Sequence, residues 1–390
     1  MFTVCKPVSK LAKAAAALAI AALLAACEPG GLGGGPSIDT SDPVPVALLV
    51  PRGSGQAGDA ALAQSLENAA RLAMSDLPNV KVDLRVYDTA GNAGTASTVA
   101  QLAVADGAKI IIGPVYAQAA NAAGLAVLNK NVNVLSFSNN TSIAGGNVFV
   151  LGPTFQNTAN RLVNYSAAQG KTGTVIVYSN DAAGQLGQSA IASALGSSPV
   201  NNAGNVTYDR SQQGVINAVP TIKATVDSSG ADSVFLTATT AGALPLLTQL
   251  LPEAGVSPAT TQFIGLTRWD IPAQTLELPG VQGGWFALPD PSKAQSYRQR
   301  YNATYGEAPH PISGLAYDGI AAIGALVAQG KSNALTGAAL TQSAGFQGVG
   351  GIFRLLPNGT NERGLAVATI QNKQVVVIDP APQSFAGAGF

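Results

Sequence analysis

Residues 109–141 read KIIIGPVYAQAANAAGLAVLNKNVNVLSFSNNT. Ile110, Ile111 and Ile112 form a β-branched run that stops at Gly113-Pro114. An Ala-rich segment of helical character follows over 116–128, and a second apolar run over 132–137 stops at Ser138-Asn139-Asn140-Thr141. Strand, turn, helix, strand, turn predicts one βαβ unit. In an open parallel sheet, ligands sit outside the carboxyl ends of the strands, so both loops are expected to line one crevice. This stretch therefore points first to a binding protein.

The same alternation runs on both sides of it. Strands are expected at 44–50, 80–87 and 147–152, with helices at 59–76 and 95–105, which gives a doubly wound parallel sheet. A helix at 154–169 then leads into a second series. Its strands fall at 173–178, 206–208, 233–238, 261–265 and 283–287, with helices at 185–195, 215–226 and 241–251 between them. This is a second α/β lobe of similar construction. Beyond Pro289 come helices at 292–305, 312–329 and 335–342. Two strands at 351–355 and 364–371 are expected to form a hairpin about Pro357-Asn358-Gly359, followed by a last strand at 375–378. Consecutive helices after a complete second lobe suggest that the chain crosses back to the first.

Composition narrows the function classes. Apolar residues make up 47% of the chain and charged residues 11%, with 21 basic and 21 acidic side chains. No basic stripe is present, which argues against nucleic acid as a partner. One histidine and two cysteines leave little material for a metal site or a histidine-based catalytic site. No nucleophile elbow, phosphate loop or metal-spaced cluster occurs, so neither a cofactor nor catalysis is expected.

The N-terminus has the layout of a signal peptide over 1–26: Lys6, Lys10 and Lys13, then an apolar run over 14–26 too short to span a bilayer comfortably. Leu24-Ala25-Ala26-Cys27 resembles the bacterial lipobox, which implies lipidation of Cys27; the alternative is ordinary cleavage beside an incidental cysteine. Three acyl chains, as such lipoproteins carry, would anchor the protein permanently. EPGGLGGGPS follows Cys27, and 27–43 is expected to be a flexible tether. Glu28 after the cysteine favours, by resemblance to enterobacterial sorting, the outer membrane. The expected location is thus the bacterial envelope, facing the periplasm.

The order of elements over about 44–380 resembles type I periplasmic binding proteins, in particular the branched-chain amino-acid receptor group. Three stretches carry the likeness: Gly113-Pro114 closing the third strand; RQRYNATYGEAPHPISGLAYDGI at 298–320; and GIFRLLPNGTNERGLAVATI with VVVID at 351–379. The fold implied is α/β, two doubly wound parallel-sheet lobes with a hinged cleft. The division implied is 44–153 plus 290–347 for the N-terminal lobe and 154–289 plus 348–380 for the C-terminal lobe, with 381–390 a flexible tail.

Amino-acid receptors of this group hold the α-carboxylate with a Ser hydroxyl and backbone N–H groups after the Gly-Pro turn. The matching positions here are Tyr116, Ala117 and Gln118, and Ala117 has no hydroxyl. The Thr that reaches the α-amino group is matched by Thr141, with Ser138, Asn139 and Asn140 as polar neighbours. The ligand-packing aromatic before a Gly is replaced by Leu186. The carboxylate that pairs with the ammonium falls near Arg268-Trp269, where Asp270 is the nearest acid. An unpaired buried ammonium is costly, so a standard amino-acid zwitterion fits poorly.

From the residues themselves, Arg52 and Ser54 follow the first strand and Asp181 follows the strand at 173–178. Arg52 would meet an anion or lie solvated. Asp181 would line the cleft or cap the next helix. Arg268 and Trp269 would stack on or pair with a ligand, or Trp269 would simply pack. A nearer resemblance within the fold is to outer-membrane lipoproteins that activate penicillin-binding proteins, without the helical-repeat domain of their long form. Two functions follow as expectations. One is a non-enzymatic regulator docking on a peptidoglycan synthase. The alternative is the solute-binding lipoprotein of an ABC importer, with a permease partner and a small polar or aromatic solute.

Overall fold

The computed structural model describes residues 34–386. The signal segment and Cys27 lie outside the described residues. The first lobe is built on β1 (Val44–Val50), α1 (Asp59–Ser75), β2 (Val82–Asp88), α2 (Ala93–Ala105), β3 (Ile110–Ile112), α3 (Ala117–Val127), β4 (Asn133–Ser136) and β5 (Val148–Val150). The strands form a parallel sheet in the order β2-β1-β3-β4-β5. Strand side chains alternate between faces. Val46, Leu48, Val50, Ile110 and Ile112 accordingly share a core with α1, whereas Ala47, Leu49 and Ile111 share another with α2 and α3. The near-continuous apolar runs read from the sequence are what a sheet covered on both faces requires.

The second lobe repeats the plan with α4 (Phe155–Ala168), β6 (Gly173–Ser179), α5 (Ala182–Leu195), β7 (Asn201–Tyr208), α6 (Gln212–Ser229), β8 (Ser233–Leu236), α7 (Leu244–Glu253), β9 (Gln262–Gly265) and β10 (Trp285–Pro289). Val175 and Val177 face a core with α6 and α7, and Ile176 faces one with α4 and α5. β7 begins earlier than the apolar pattern indicates. Its first half, Asn-Asn-Ala-Gly-Asn, is polar because β7 is an edge strand, held by its ladder to β6 rather than by burial.

At Asp290 the chain returns to the first lobe. Helices α8 (Pro291–Tyr305), α9 (Gly314–Val327) and the short α10 (Gly337–Leu340) follow. Tyr297 and Tyr301 of α8 and Leu315, Ile320 and Ile323 of α9 join the first core. Next come β11 (Phe346–Gly348), β12 (Gly351–Leu355), β13 (Asn361–Arg363), β14 (Leu365–Gln371) and β15 (Gln374–Asp379).

Three details differ from the sequence reading. The hairpin about 357–359 joins β12 to β13, not to the strand beginning at 364. β14 instead pairs antiparallel with β10 and β15, completing a sheet of order β15-β14-β10-β9-β8-β6-β7. Phe353 and Leu355 lie in the first core, so the chain stays with that lobe past 348 and crosses at Gly364. Both termini of the described chain are docked rather than loose. Asn133 donates to the Gly34 carbonyl at 3.0 Å and Ile38 is buried, while Gln383 donates to Asp290 at 3.2 Å and Phe385 lies under Arg354.

The crossovers are stitched to one another. The Asn361 amide donates to the carbonyls of Val150 (2.8 Å) and Gly152 (2.9 Å), on the first crossover. Arg363 donates to the Leu151 carbonyl and pairs with the buried Asp318 of α9 at 3.0 Å.

Candidate functional site

Each lobe has a topological switch point, where consecutive strands lie on opposite sides of the first: β1/β3 in the first lobe and β6/β8 in the second. Ligands of open α/β sheets bind outside the carboxyl ends at such a point. The two points are filled differently.

In the first lobe, Asp59 opens α1 and is buried. Ser54 Oγ donates to Asp59 Oδ2 and the Tyr116 hydroxyl to Asp59 Oδ1, both at 2.6 Å. A Cβ on Gly91 would meet Ser54 at 3.1 Å and Tyr116 at 3.2 Å, so the loops after β1, β2 and β3 close together here. The hydrogen bond to Asp59 pushes the Tyr116 phenol up to about 12. Arg52 is held between Glu67 and Asp88, each at 3.1 Å. Its neighbours hold Glu67 below the usual carboxylate range: against its desolvation, the Arg71 and Arg52 guanidinium groups favour the charged form. Ala117 begins α3 and supplies no polar atom. Ser138 is buried and accepts from the Asn140 N–H at 3.1 Å, while Asn139, Asn140 and Thr141 are exposed. Asn140 caps the short turn Thr141–Ile143 by accepting from Ser142 N–H at 2.9 Å. Ser54, Tyr116 and Arg52 thus bond to α1 and β2, and Ser138 and Asn140 bond within their own loop.

The second switch point is open. A cavity of about 610 Å³ lies at the carboxyl ends of four adjacent strands. Ser179 ends β6, Tyr208 ends β7 and Arg210 follows it, Thr237 and Thr239 follow β8, and Thr267 follows β9. Phe155, Val215 and Leu246 add apolar walls. The volume falls within the range of sites for small molecules.

Asp181 is the one sequence candidate in this wall. It caps α5 by accepting from the Gly184 N–H at 2.8 Å, and it also accepts from Ser179 Oγ at 2.8 Å and pairs with Arg210 at 2.7 Å. The Gly184 amide, then the Ser179 hydroxyl and Arg210, hold its carboxyl below the usual range. Gly184 has to be glycine, because a Cβ would collide with the Ser179 carbonyl. Burial raises the Tyr208 phenol.

Arg268 and Trp269 do not line the cavity. Trp269 is wholly buried; its indole stacks on Phe286 with ring centres 6.5 Å apart and covers Gly265 and Gly284. Gly265 and Gly284 leave the room that the indole fills, with its Nε1 buried and without a hydrogen-bond partner, so packing decides its place. Arg268 pairs with Asp270, which is therefore not a free acid for a ligand ammonium. Leu186 is exposed and outside the lining. The residues missed in the second lobe, Phe155, Tyr208, Arg210, Thr237, Thr239 and Thr267, had one available signal. Each follows a strand end or opens a helix, the rule already applied to 109–141.

This architecture has counterparts. The periplasmic binding protein family matches residues 43–374. The chain belongs to that family. Among solved structures, this periplasmic binding protein is similar to a protein described as a branched-chain amino acid ABC transporter from Rhodospirillum rubrum, at 19% identity and a TM-score of 0.71, covering 86% of this chain and 100% of that one. It is also similar to an ABC transporter substrate-binding protein from Desulfitobacterium hafniense in complex with Leu, at 18% identity and TM-score 0.60, covering 86% and 100%. A solute binding protein of an ABC transporter from Rhodopseudomonas palustris BisB5, in complex with 3,4-dihydroxy benzoic acid, aligns at 16% identity and TM-score 0.56, covering 88% and 98%. No curated protein matches the sequence. At these identities the likeness establishes the fold, and function has to be argued from the site. Among the described residues, no helix is long and apolar enough to cross a membrane.

Proposed function

We propose that this periplasmic binding protein is the solute receptor of an ABC importer. It binds a small polar or aromatic solute without transforming it and delivers it to a permease. The observation that carries this reading is the cavity of about 610 Å³ at the second-lobe switch point, with polar strand ends on its floor and apolar walls. The similar solved proteins include ABC substrate-binding proteins with an amino acid or an aromatic acid bound. Docking on a peptidoglycan synthase, the other function expected from the sequence, gains no support from the comparisons. Lipidation at Cys27 would keep the receptor at the envelope, facing the periplasm.

A thermal-shift screen of amino acids, aromatic acids, sugars and nucleosides tests the proposal. A solute at a hundred times its dissociation constant adds about 2.7 kcal/mol of stability. A clear rise in melting temperature with one solute class supports the receptor reading. A flat response across all classes sinks it.

A further inference from the structure

We infer that the C-terminal segment is a strap across the hinge: residues 380–386 tie the second lobe to the first and favour the open cleft, so that closure has to pull Phe385 from its seat. This goes beyond the receptor reading, because the strap acts on the lobes with or without a solute. The chain passes between the lobes three times, between β5 and α4, at Asp290 and at Gly364. β15 then ends in the second-lobe sheet at Asp379, whose carboxylate pairs with Arg161 of α4 at 2.5 Å.

Beyond Asp379 the chain runs back over the crossovers. Ala381 is buried in the second-lobe core. The Pro382 carbonyl lies against Gly364, 3.0 Å from where a Cβ would stand. Gln383 Nε2 donates to Asp290 Oδ2 at 3.2 Å and to the Ala381 carbonyl at 3.0 Å. The segment thus touches two crossovers before it reaches the first lobe.

Phe385 sits on first-lobe elements. The Arg354 guanidinium lies over its ring, 4.5 Å from the centre, an attractive placement for a cation. Glu362 of β13 holds that guanidinium at 2.5 Å. The ring edge also packs against Gly345, where a Cβ would come within 2.7 Å of it. Arg354 stands on β12 between Phe353 and Leu355 of the first core, and Gly345 precedes Phe346 of the same core. From Ala381 to Phe385 the chain reaches roughly 14 Å at most, so one short segment is anchored in both lobes.

The cleft stands open. Every residue lining the cavity at the second switch point belongs to the second lobe, so the first lobe stands clear of it. Hinge closure would rotate the first lobe toward that cavity and move the Phe385 seat relative to Ala381. Packing contacts are short-ranged, and a gap of about 0.5–1 Å forfeits a quarter to a half of their attraction. The strap therefore favours the open arrangement, and releasing it shifts the population toward closure.

Double electron–electron resonance tests this on the full chain with both native cysteines, Cys5 and Cys27, replaced by Ser. Spin labels go on Asn121→Cys of α3 and Ser189→Cys of α5, exposed positions on helices that start at the two switch points. Phe385→Ala, and separately a chain ending at Gln383, are each expected to at least double the width of the interlobe distance distribution and to extend it to shorter distances. Distributions that match the parent chain in both variants overturn the strap, and a fall in melting temperature alongside them makes the tail a structural cover only. A shift only to longer distances overturns the claim that the strap favours the open arrangement. No solute is added, so failure here leaves the receptor reading standing, and a flat thermal-shift screen leaves the strap standing.

Discussion

Tyr116 donates its hydroxyl to the buried carboxylate of Asp59 at 2.6 Å, across the switch point of the first lobe. This bond ties the loop after β3 to the start of α1. It also carries a pH signature. The folded-state phenol sits at about 12 against an ordinary 10.0. A raised pKa means that the stabilisation is complete below about pH 10 and is lost as the pH climbs toward 12. Tyr116→Phe should destabilise the protein by about 1 kcal/mol at neutral pH, a figure held down by the partial exposure of the ring. Urea unfolding from pH 7 to 11.5 should show the difference from wild type constant up to pH 10 and shrinking above it.

Trp269 and Arg268 are neighbours with opposite prospects. Trp269→Ala empties a slot beside Phe286 and should cost about 3–5 kcal/mol. Arg268→Ala loses a part-exposed pair with Asp270 and should change stability by less than about 1 kcal/mol, with solute affinity unaltered. Denaturation curves and titrations on the two variants check this. A loss of solute binding in Arg268→Ala with the fold intact would return that residue to the site.

Gly113 combines a left-handed φ of 86° with a position where a Cβ would collide with the Leu49 carbonyl. Gly113→Ala should therefore lose more than about 2 kcal/mol. Gly170 has φ of 74° and open space around it, so Gly170→Ala should lose only about 1 kcal/mol, the backbone penalty alone. Equal losses would show that the carbonyl contact at Gly113 relaxes away.

Asp318 is almost wholly buried, and burial raises its carboxyl against the opposing pull of Arg363. Arg363→Met leaves that carboxylate without a cation and should cost about 3–5 kcal/mol. Asp318→Asn keeps an acceptor for the Val349 N–H, which lies 2.9 Å from Oδ1, and should cost less. Urea midpoints in the reverse order would contradict the assignment of the pair as a buried clasp.

Cys27 is the proposed lipid site. Cells expressing the protein should incorporate labelled palmitate into it and retain it in the membrane fraction. Cys27→Ser should abolish the label and release the protein. Unchanged labelling in that variant would exclude Cys27.

The fold was largely legible because its evidence is periodic. Ile110, Ile111 and Ile112 announce a strand buried on both faces, and the helix that follows announces a crossover. The exchange at Gly364 was not legible. Strand propensity is the same whether 365–371 pairs with β12 or with β10, and only the distant partner decides.

The candidate site was legible as a rule and not as a set of residues. The rule that ligands gather at carboxyl ends of strands applies equally to Tyr116 and to Thr237. At one end Tyr116 bonds to Asp59 and at the other a cavity lies, and no local pattern distinguishes them. The sequence by itself determined two parallel-sheet lobes, because periodic burial and turn residues act over a few neighbours. Only the tertiary structure decided that Trp269 belongs to the core, that Asp181 already has its cation, and that Thr237 holds an unpaired hydroxyl. Each of these depends on what lies opposite in space, a relationship that short-range sequence patterns do not encode.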